Sequence, residues 1–127
     1  MRAMISIDKK GATRIVFLTK KYAIKIPSFY SWKMFLHGLI ANLNERAFKE
    51  YSCTPGSGLC PTVYASETGL ISIQKRCLPV QHRGMFWVEL AHLACSTVLH
   101  EDFFYSDAKP ENFGYIDGKL VKLDYGD

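Results

Sequence analysis

The sequence predicts an α+β fold with a mostly antiparallel sheet. Three observations carry this: β-rich runs separated by tight turns near the start, two longer stretches with apolar residues at helical spacing, and an Asp117-Gly118 pair between two further β-rich runs near the end. The chain has 127 residues, 48% hydrophobic and 13% aromatic, which is enough apolar side chain for one compact domain and too much for a disordered one.

Each element follows in order. Residues 4–8 and 13–18 are β-rich and flank Lys9-Lys10-Gly11-Ala12, a hairpin with Gly at its turn. After a second turn at Thr19-Lys20-Lys21, residues 22–26 give a third antiparallel strand, closed by Pro27, which has no N–H for a ladder. Between residues 33 and 51, Leu36, Leu39, Ile40, Leu43, Ala47, Phe48 and Tyr51 recur at steps of three and four. That spacing predicts an amphipathic helix ending near Ser52, because the turn cluster Thr54-Pro55-Gly56-Ser57-Gly58 cannot continue it. Residues 62–66 and 70–74 read as a hairpin around Glu67-Thr68-Gly69, and residues 75–83, with Pro79, as a connector. A second helix is predicted over residues 84–100, with Phe86, Leu90, Leu93, Ala94 and Val98 on a broad apolar face. A polar loop at 107–112, broken by Pro110, leads into a hairpin formed by residues 113–116 and 119–123.

Sixteen Lys and Arg against twelve Asp and Glu give a formal charge of +4, a mild preference for anionic partners such as nucleotides or phosphorylated groups. No basic run alternates with aromatics and no nucleic-acid motif occurs, so no nucleic-acid partner is expected. The start has no apolar stretch of signal-peptide length, and nowhere do about 18 apolar residues run together. A cytoplasmic protein that does not engage a membrane is expected. Cys53, Cys60, Cys77 and Cys95 fit neither a zinc motif nor a redox-pair spacing and are expected as reduced thiols, Cys95 as a small core residue on a helix face.

The chemistry-bearing segment is Asp107-Ala108-Lys109-Pro110-Glu111-Asn112, followed by the hairpin and Asp124-Tyr125-Gly126. A carboxylate and an amide oxygen are hard ligands suited to magnesium, and the Asp117-Gly118 turn would bring Asn112 and Asp124 together. Asp107 is spaced to accept or orient a hydroxyl proton, and Lys109 to stabilise a transferring phosphoryl group.

This stretch resembles the catalytic loop of protein kinases, with the family's Asp-to-Asn spacing and with Tyr105-Ser106 in place of the usual His-Arg. Asp124-Tyr125-Gly126 resembles the metal-binding Asp-Phe-Gly. Tyr22-Ala23-Ile24-Lys25 resembles the third-strand Val-Ala-Ile-Lys, and Asn44-Glu45-Arg46 lies in the helix where kinases place the Glu that pairs with that Lys. Glu50 lies closer to the phase of Leu43, Ala47 and Tyr51, but Glu45 follows Lys25 by about the family's interval and is preferred.

The resemblance implies a protein kinase-like fold over residues 1–127, a single minimal domain. It has a sheet-and-one-helix upper lobe at 1–74, a connector at 75–83, and a truncated lower lobe at 84–127 made of one helix, the catalytic loop and a hairpin. It implies ATP and Mg2+ as cofactors, with Lys25 anchoring phosphates, Glu45 orienting Lys25, Asp107 as base, Lys109 as phosphoryl stabiliser, and Asn112 and Asp124 as metal ligands. The family's glycine-rich cover is reduced to Gly11, where Lys9, Lys10 and Arg14 are expected to supply charge instead. With the chain ending three residues after Asp124, the face of Phe86, Leu90, Leu93 and Leu99, near Phe103 and Phe104, is expected to be partly uncovered and to serve a protein partner or self-association.

The activity so implied is Mg-ATP-dependent phosphotransfer to protein Ser or Thr, since Lys109 after Asp107 resembles the Ser/Thr-kinase loop. The alternative is a non-catalytic pseudokinase or decoy that binds a partner protein. A small-molecule phosphotransferase resembling the aminoglycoside phosphotransferases ranks last, because those enzymes usually carry a His-Gly-Asp type of loop and lack a Lys-Pro-Glu-Asn stretch.

Overall fold

The computed structural model describes residues 6–8 by their strand pairing, and residues 14–97, 99, 101–106, 108–123 and 125. Lys9, Lys10, Gly11, Val98, Asp107, Asp124 and Gly126, all used in the sequence reading, lie outside the described residues. What is described is an α+β chain with antiparallel sheets, in two compact units. One unit lies within Met1–Glu50 and Pro61–Arg76 together with Tyr125, and the other within Tyr51–Cys60 and Cys77–Asp124.

The first unit is a five-stranded sheet with a helix. Its strands are β1 (Ser6–Asp8), β2 (Arg14–Leu18), β3 (Tyr22–Pro27), β4 (Thr62–Ala65) and β5 (Ser72–Lys75), ordered β1-β2-β3-β5-β4. The expected three-stranded start and the later hairpin are thus one sheet, joined where β3 pairs with β5. The turn between β2 and β3 closes tightly because Thr19 N–H donates to Tyr22 O at 2.8 Å and Tyr22 N–H donates back to Thr19 Oγ1 at 3.0 Å. Helix α1 (Trp32–Ala47) starts at Ser31, whose hydroxyl accepts from Met34 N–H at 3.1 Å, an N-cap that satisfies an otherwise orphaned donor. It breaks at Phe48, and a further turn, α2 (Lys49–Ser52), ends the helical stretch at Ser52, where the end was expected.

The buried face of α1 differs from the one its apolar spacing suggested. Gly38, Ala41, Asn42 and Glu45 are buried, whereas Leu36, Ile40 and Leu43 are exposed, Ile40 to 57%. Small residues at 38 and 41 let the helix approach the sheet, and the polar pair at 42 and 45 meets polar groups there.

The second unit has a three-stranded antiparallel sheet of β6 (Leu78–Pro79), β7 (Phe113–Ile116) and β8 (Lys119–Lys122) in that order, so the expected connector itself contributes a strand. The β7–β8 turn has Asp117 at φ 52° and Gly118 at φ 77°, the double left-handed geometry that an Asp-Gly hairpin supplies. Helix α3 (Arg83–Ser96) buries Phe86, Leu90, Leu93 and Ala94 as expected, with the Phe86 ring edge-on to Phe113 at 5.2 Å. It ends before residue 100, and a short helix, α4 (Glu101–Tyr105), stands where only a link was expected.

Phe86, Leu90, Leu93 and Phe104 are covered by their own chain, while Leu99 and Phe103 are half-buried, so the face anticipated from the sequence is only partly open at those two residues. The large apolar side chains that α3 does expose are Met85, Trp87 and Val88. Cys95 is exposed as well, and is not a core residue. Among the described residues no helix is long and apolar enough to cross a membrane.

Candidate functional site

Strand register explains how the polar residues of the first unit meet. Lys25 sits mid-strand in β3, directly opposite Val16 of β2 on one side and Ser72 of β5 on the other. Side chains alternate along a strand, so Arg14, two residues before Val16, shares the face that carries Lys25 and Ser72. On α1, Asn42 and Glu45 are three residues apart and therefore also share a face. The helix lays that face on the sheet.

The result is a buried network centred on Glu45, whose exposure is 0%. Lys25 Nζ donates to Oε2 at 3.2 Å and to Oε1 at 3.3 Å. Arg14 Nη1 donates to Oε2, and Ser72 Oγ donates to Oε1 at 3.0 Å. Asn42 locks the surroundings: its amide nitrogen donates to Lys25 O at 3.2 Å and Gly69 O at 2.9 Å, while its oxygen accepts from Arg14 Nη1 at 3.2 Å. A carboxylate out of water requires this degree of pairing, because an unpaired buried charge costs several kcal/mol. The Lys25–Glu45 pair is the one expected from the sequence, and Glu50 is exposed.

Arg14 was expected to lend charge to a nucleotide cover. It is instead buried, with its guanidinium turned onto Glu45 and Asn42. Tyr125, the aromatic of Asp124-Tyr125-Gly126, is buried in the same unit, with its hydroxyl bonded to Thr62 Oγ1 and its ring edge-on to Phe48 at 6.0 Å.

In the second unit, the loop that carries Lys109 and Asn112 is built on Pro110. Lys109 is exposed and extended, Pro110 is buried at the start of a single 3-10 turn (Pro110–Asn112), and Asn112 N–H donates to Lys109 O at 2.9 Å. Proline suits that first position because its missing N–H would find no partner there. Asn112 O accepts from Leu123 N–H at 2.8 Å, which ties the backbone of Asn112 to the residue preceding Asp124. Glu111 pairs with Arg83 at 2.9 Å on the surface.

Lys122 is buried, donates from Nζ to Phe103 O at 2.5 Å, and lies over the Phe103 ring at 4.7 Å from its centroid. It thereby holds α4, the helix that leads into Ser106 and Asp107. Asp107 and Asp124 themselves lie outside the described residues.

Of the six site residues expected from the sequence, Lys25 and Glu45 are in contact, while Lys109 and Asn112 share one turn. Arg14, Asn42, Ser72 and Lys122 were not anticipated as part of this framework. Asn42 had a usable signal, a polar residue one helical turn before Glu45. The other three depend on strand register and packing, which a single sequence does not display. The sequence matches no protein-family model and no curated protein, so a functional reading rests on these residues and their geometry.

Proposed function

We propose that the chain is a protein kinase-like phosphotransferase that uses Mg-ATP and acts on Ser or Thr hydroxyls of proteins in the cytoplasm. The observation that carries this reading is the Lys25–Glu45 pair: a lysine held mid-sheet by a buried helix carboxylate at 3.2 Å. A strand lysine fixed in this way is preorganised to meet the α- and β-phosphates of ATP. The packing of Tyr125 on Phe48, at the end of the helix that carries Glu45, supports the comparison of Asp124-Tyr125-Gly126 with Asp-Phe-Gly.

The donor set suits magnesium. Among the described residues no three His, Cys, Asp or Glu side chains cluster into a metal cage. Magnesium asks for no such cage, since one or two protein oxygens and the substrate phosphates suffice. Asn112 and Asp124 are the oxygens assigned to it, and the bound metal would neutralise charge on the phosphates. Lys25 anchors phosphate, Glu45 orients Lys25, Asp107 accepts or orients the proton of the attacking hydroxyl, and Lys109 stabilises the transferred group.

Calorimetry with ATP, with and without magnesium, tests the reading, and labelled-ATP transfer to the proteins of cell lysates tests the activity. Magnesium-dependent binding that Asp124→Ala weakens is expected. Asp107→Asn should retain binding and lose about 10² to 10⁴ in transfer rate. Absence of binding heat at millimolar ATP would sink the reading.

One observation favours a second reading, a non-catalytic partner-binding module. Arg14 shares Glu45 with Lys25, so the carboxylate is already held by a second cation besides the lysine. Confirmed Mg-ATP binding without transfer in any lysate would move the balance to that reading.

A further inference from the structure

Seventeen positions separate Cys60 from Cys77 in the sequence, a spacing that identifies no motif, yet their sulfurs lie 3.0 Å apart. A disulfide needs about 2.05 Å, so a shift of about 1 Å would join them. Both residues are seated by backbone structure of the second unit. Cys60 N–H donates to Lys122 O at 2.9 Å beside the Leu59–Lys122 bridge to β8, and Cys77 directly precedes β6, which pairs with β7. Gly114 of β7 leaves room for Cys77, since a Cβ at Gly114 would come within 2.7 Å of the Cys77 Cβ. Cys60 is buried and Cys77 half-buried, whereas Cys53 and Cys95 are exposed.

We propose that Cys60 and Cys77 form a reversible redox modification site that takes a low-molecular-weight disulfide, such as oxidised glutathione, as its oxidant. The Cys77 thiolate, the more accessible of the two, attacks one sulfur of the reagent. A mixed disulfide forms, the reagent S–S bond breaks, and one thiol leaves. The Cys60 thiolate then attacks the Cys77 sulfur, forming the Cys60–Cys77 bond and releasing the second thiol. Two protein thiols are oxidised, one reagent disulfide is reduced to two thiols, and the two protons released from the protein thiols end on the leaving thiolates.

Topology gives the bond a consequence. Residues 61–76, which carry β4 and β5, belong to the first unit, while Cys60 and Cys77 belong to the second. The bond would therefore join the chain where it leaves the second unit to where it returns. This inference stands apart from the phosphotransfer reading.

The test is incubation of the folded chain in glutathione buffers of increasing oxidation, followed by acid quench, alkylation, intact mass and peptide mapping. A Cys60–Cys77 cross-link is expected, reversed by reductant, with Cys53 and Cys95 not linked to each other. Cys60→Ser should stop at the glutathione adduct of Cys77, and Cys77→Ser should leave Cys60 unmodified, with circular dichroism checking the fold of both. Oxidation should raise the urea midpoint of the wild type, and Cys60→Ser should show no such rise. The proposal is overturned if wild-type Cys77 accumulates the glutathione adduct without closing on Cys60. It is equally overturned if the cross-link lowers the midpoint, because the bond would then form from a non-native arrangement.

Discussion

The two units of this chain are held by opposite chemistry. Under α1, polar groups dominate the buried set, with Arg14, Lys25, Asn42, Glu45 and Ser72 beside the small Ala41, and the helix turns Leu36, Ile40 and Leu43 outward. Under α3, the buried side chains are Phe86, Leu90, Leu93 and Ala94, packed with Phe104 and Phe113. The second arrangement is the ordinary solution, in which apolar burial provides non-directional stabilisation. The first is directional: each charged group is in place only because its partners are. A helix that commits its inner face to ion pairs gives up much of its apolar contribution. What it gains is a lysine and a carboxylate held in one geometry, the requirement of a site more than of a core.

The sharpest way to break this contrast is to remove one centre from each unit. Glu45→Ala should destabilise by about 3 to 5 kcal/mol, because Lys25 and Arg14 lose their buried counter-charge. Phe86→Ala should cost about 3 to 5 kcal/mol for a different reason, lost burial plus a cavity. Urea denaturation measures both. The chemistry separates in rescue: Glu45→Gln keeps the shape and still loses charge pairing, so it should remain well below wild type, whereas Phe86→Leu should recover much of the loss. If Glu45→Gln were as stable as wild type, the first unit would not depend on charge.

A smaller effect probes the lock around the pair. Asn42→Ala removes one acceptor and two donated bonds, leaving Lys25 O and Gly69 O without that amide. About 1 to 3 kcal/mol of destabilisation is expected, the cost of buried polar groups losing partners. A double-mutant cycle with Ser72→Ala should show coupling, since both hold the same carboxylate environment. Additive losses would mean that the network is a set of separate bonds.

This contrast also explains what could be read in advance. α3 follows the rule that apolar residues at helical spacing face the core, so its buried set, including Phe86 and Leu90, was visible in the sequence. α1 breaks the rule: its apolar stripe is genuine but points outward, and the inner face was hinted at by the match between Lys25 and Glu45 and by the polar Asn42 one turn earlier. The hairpin at Asp117-Gly118 was legible because turn chemistry is local. The pairing of β3 with β5, the strand inside the connector, and the approach of Cys60 to Cys77 are all long-range, so no local spacing encodes them. The same holds for Arg14, whose partner is set by register across a hairpin.

In the second unit one polar contact stands at the margin of the apolar core. Tyr115 OH donates to Glu89 Oε1 at 2.5 Å, and this hydrogen bond, followed by burial and the Glu89 charge, raises the Tyr115 pKa above its usual 10.0. A raised phenol favours the neutral folded form. The contribution is therefore fully present below about pH 10 and is lost as pH rises through the higher folded value. Tyr115→Phe should cost about 0.5 to 1.5 kcal/mol at neutral pH, since the pair is partly solvated, and flatten the loss of stability expected at alkaline pH. An unchanged alkaline profile in the variant would show that another group controls it.

The smallest expected effect tests the outward stripe itself. Ile40 is 57% exposed on α1, and Ile and Ser have similar helix propensities, so Ile40→Ser should change stability by no more than about 0.5 kcal/mol. Leu90→Ser, at a fully buried position of α3, provides the contrast and should be strongly destabilising, since it leaves both a cavity and a buried hydroxyl. Placing the two side by side removes any general effect of introducing serine into a helix. A loss of several kcal/mol at Ile40 would mean that the apolar stripe is covered in solution, and the view of α1 as a helix anchored by its polar face would have to be given up. A near-zero change at Ile40 beside a large loss at Glu45 would leave charge pairing as what fixes the orientation of the helix that carries the site.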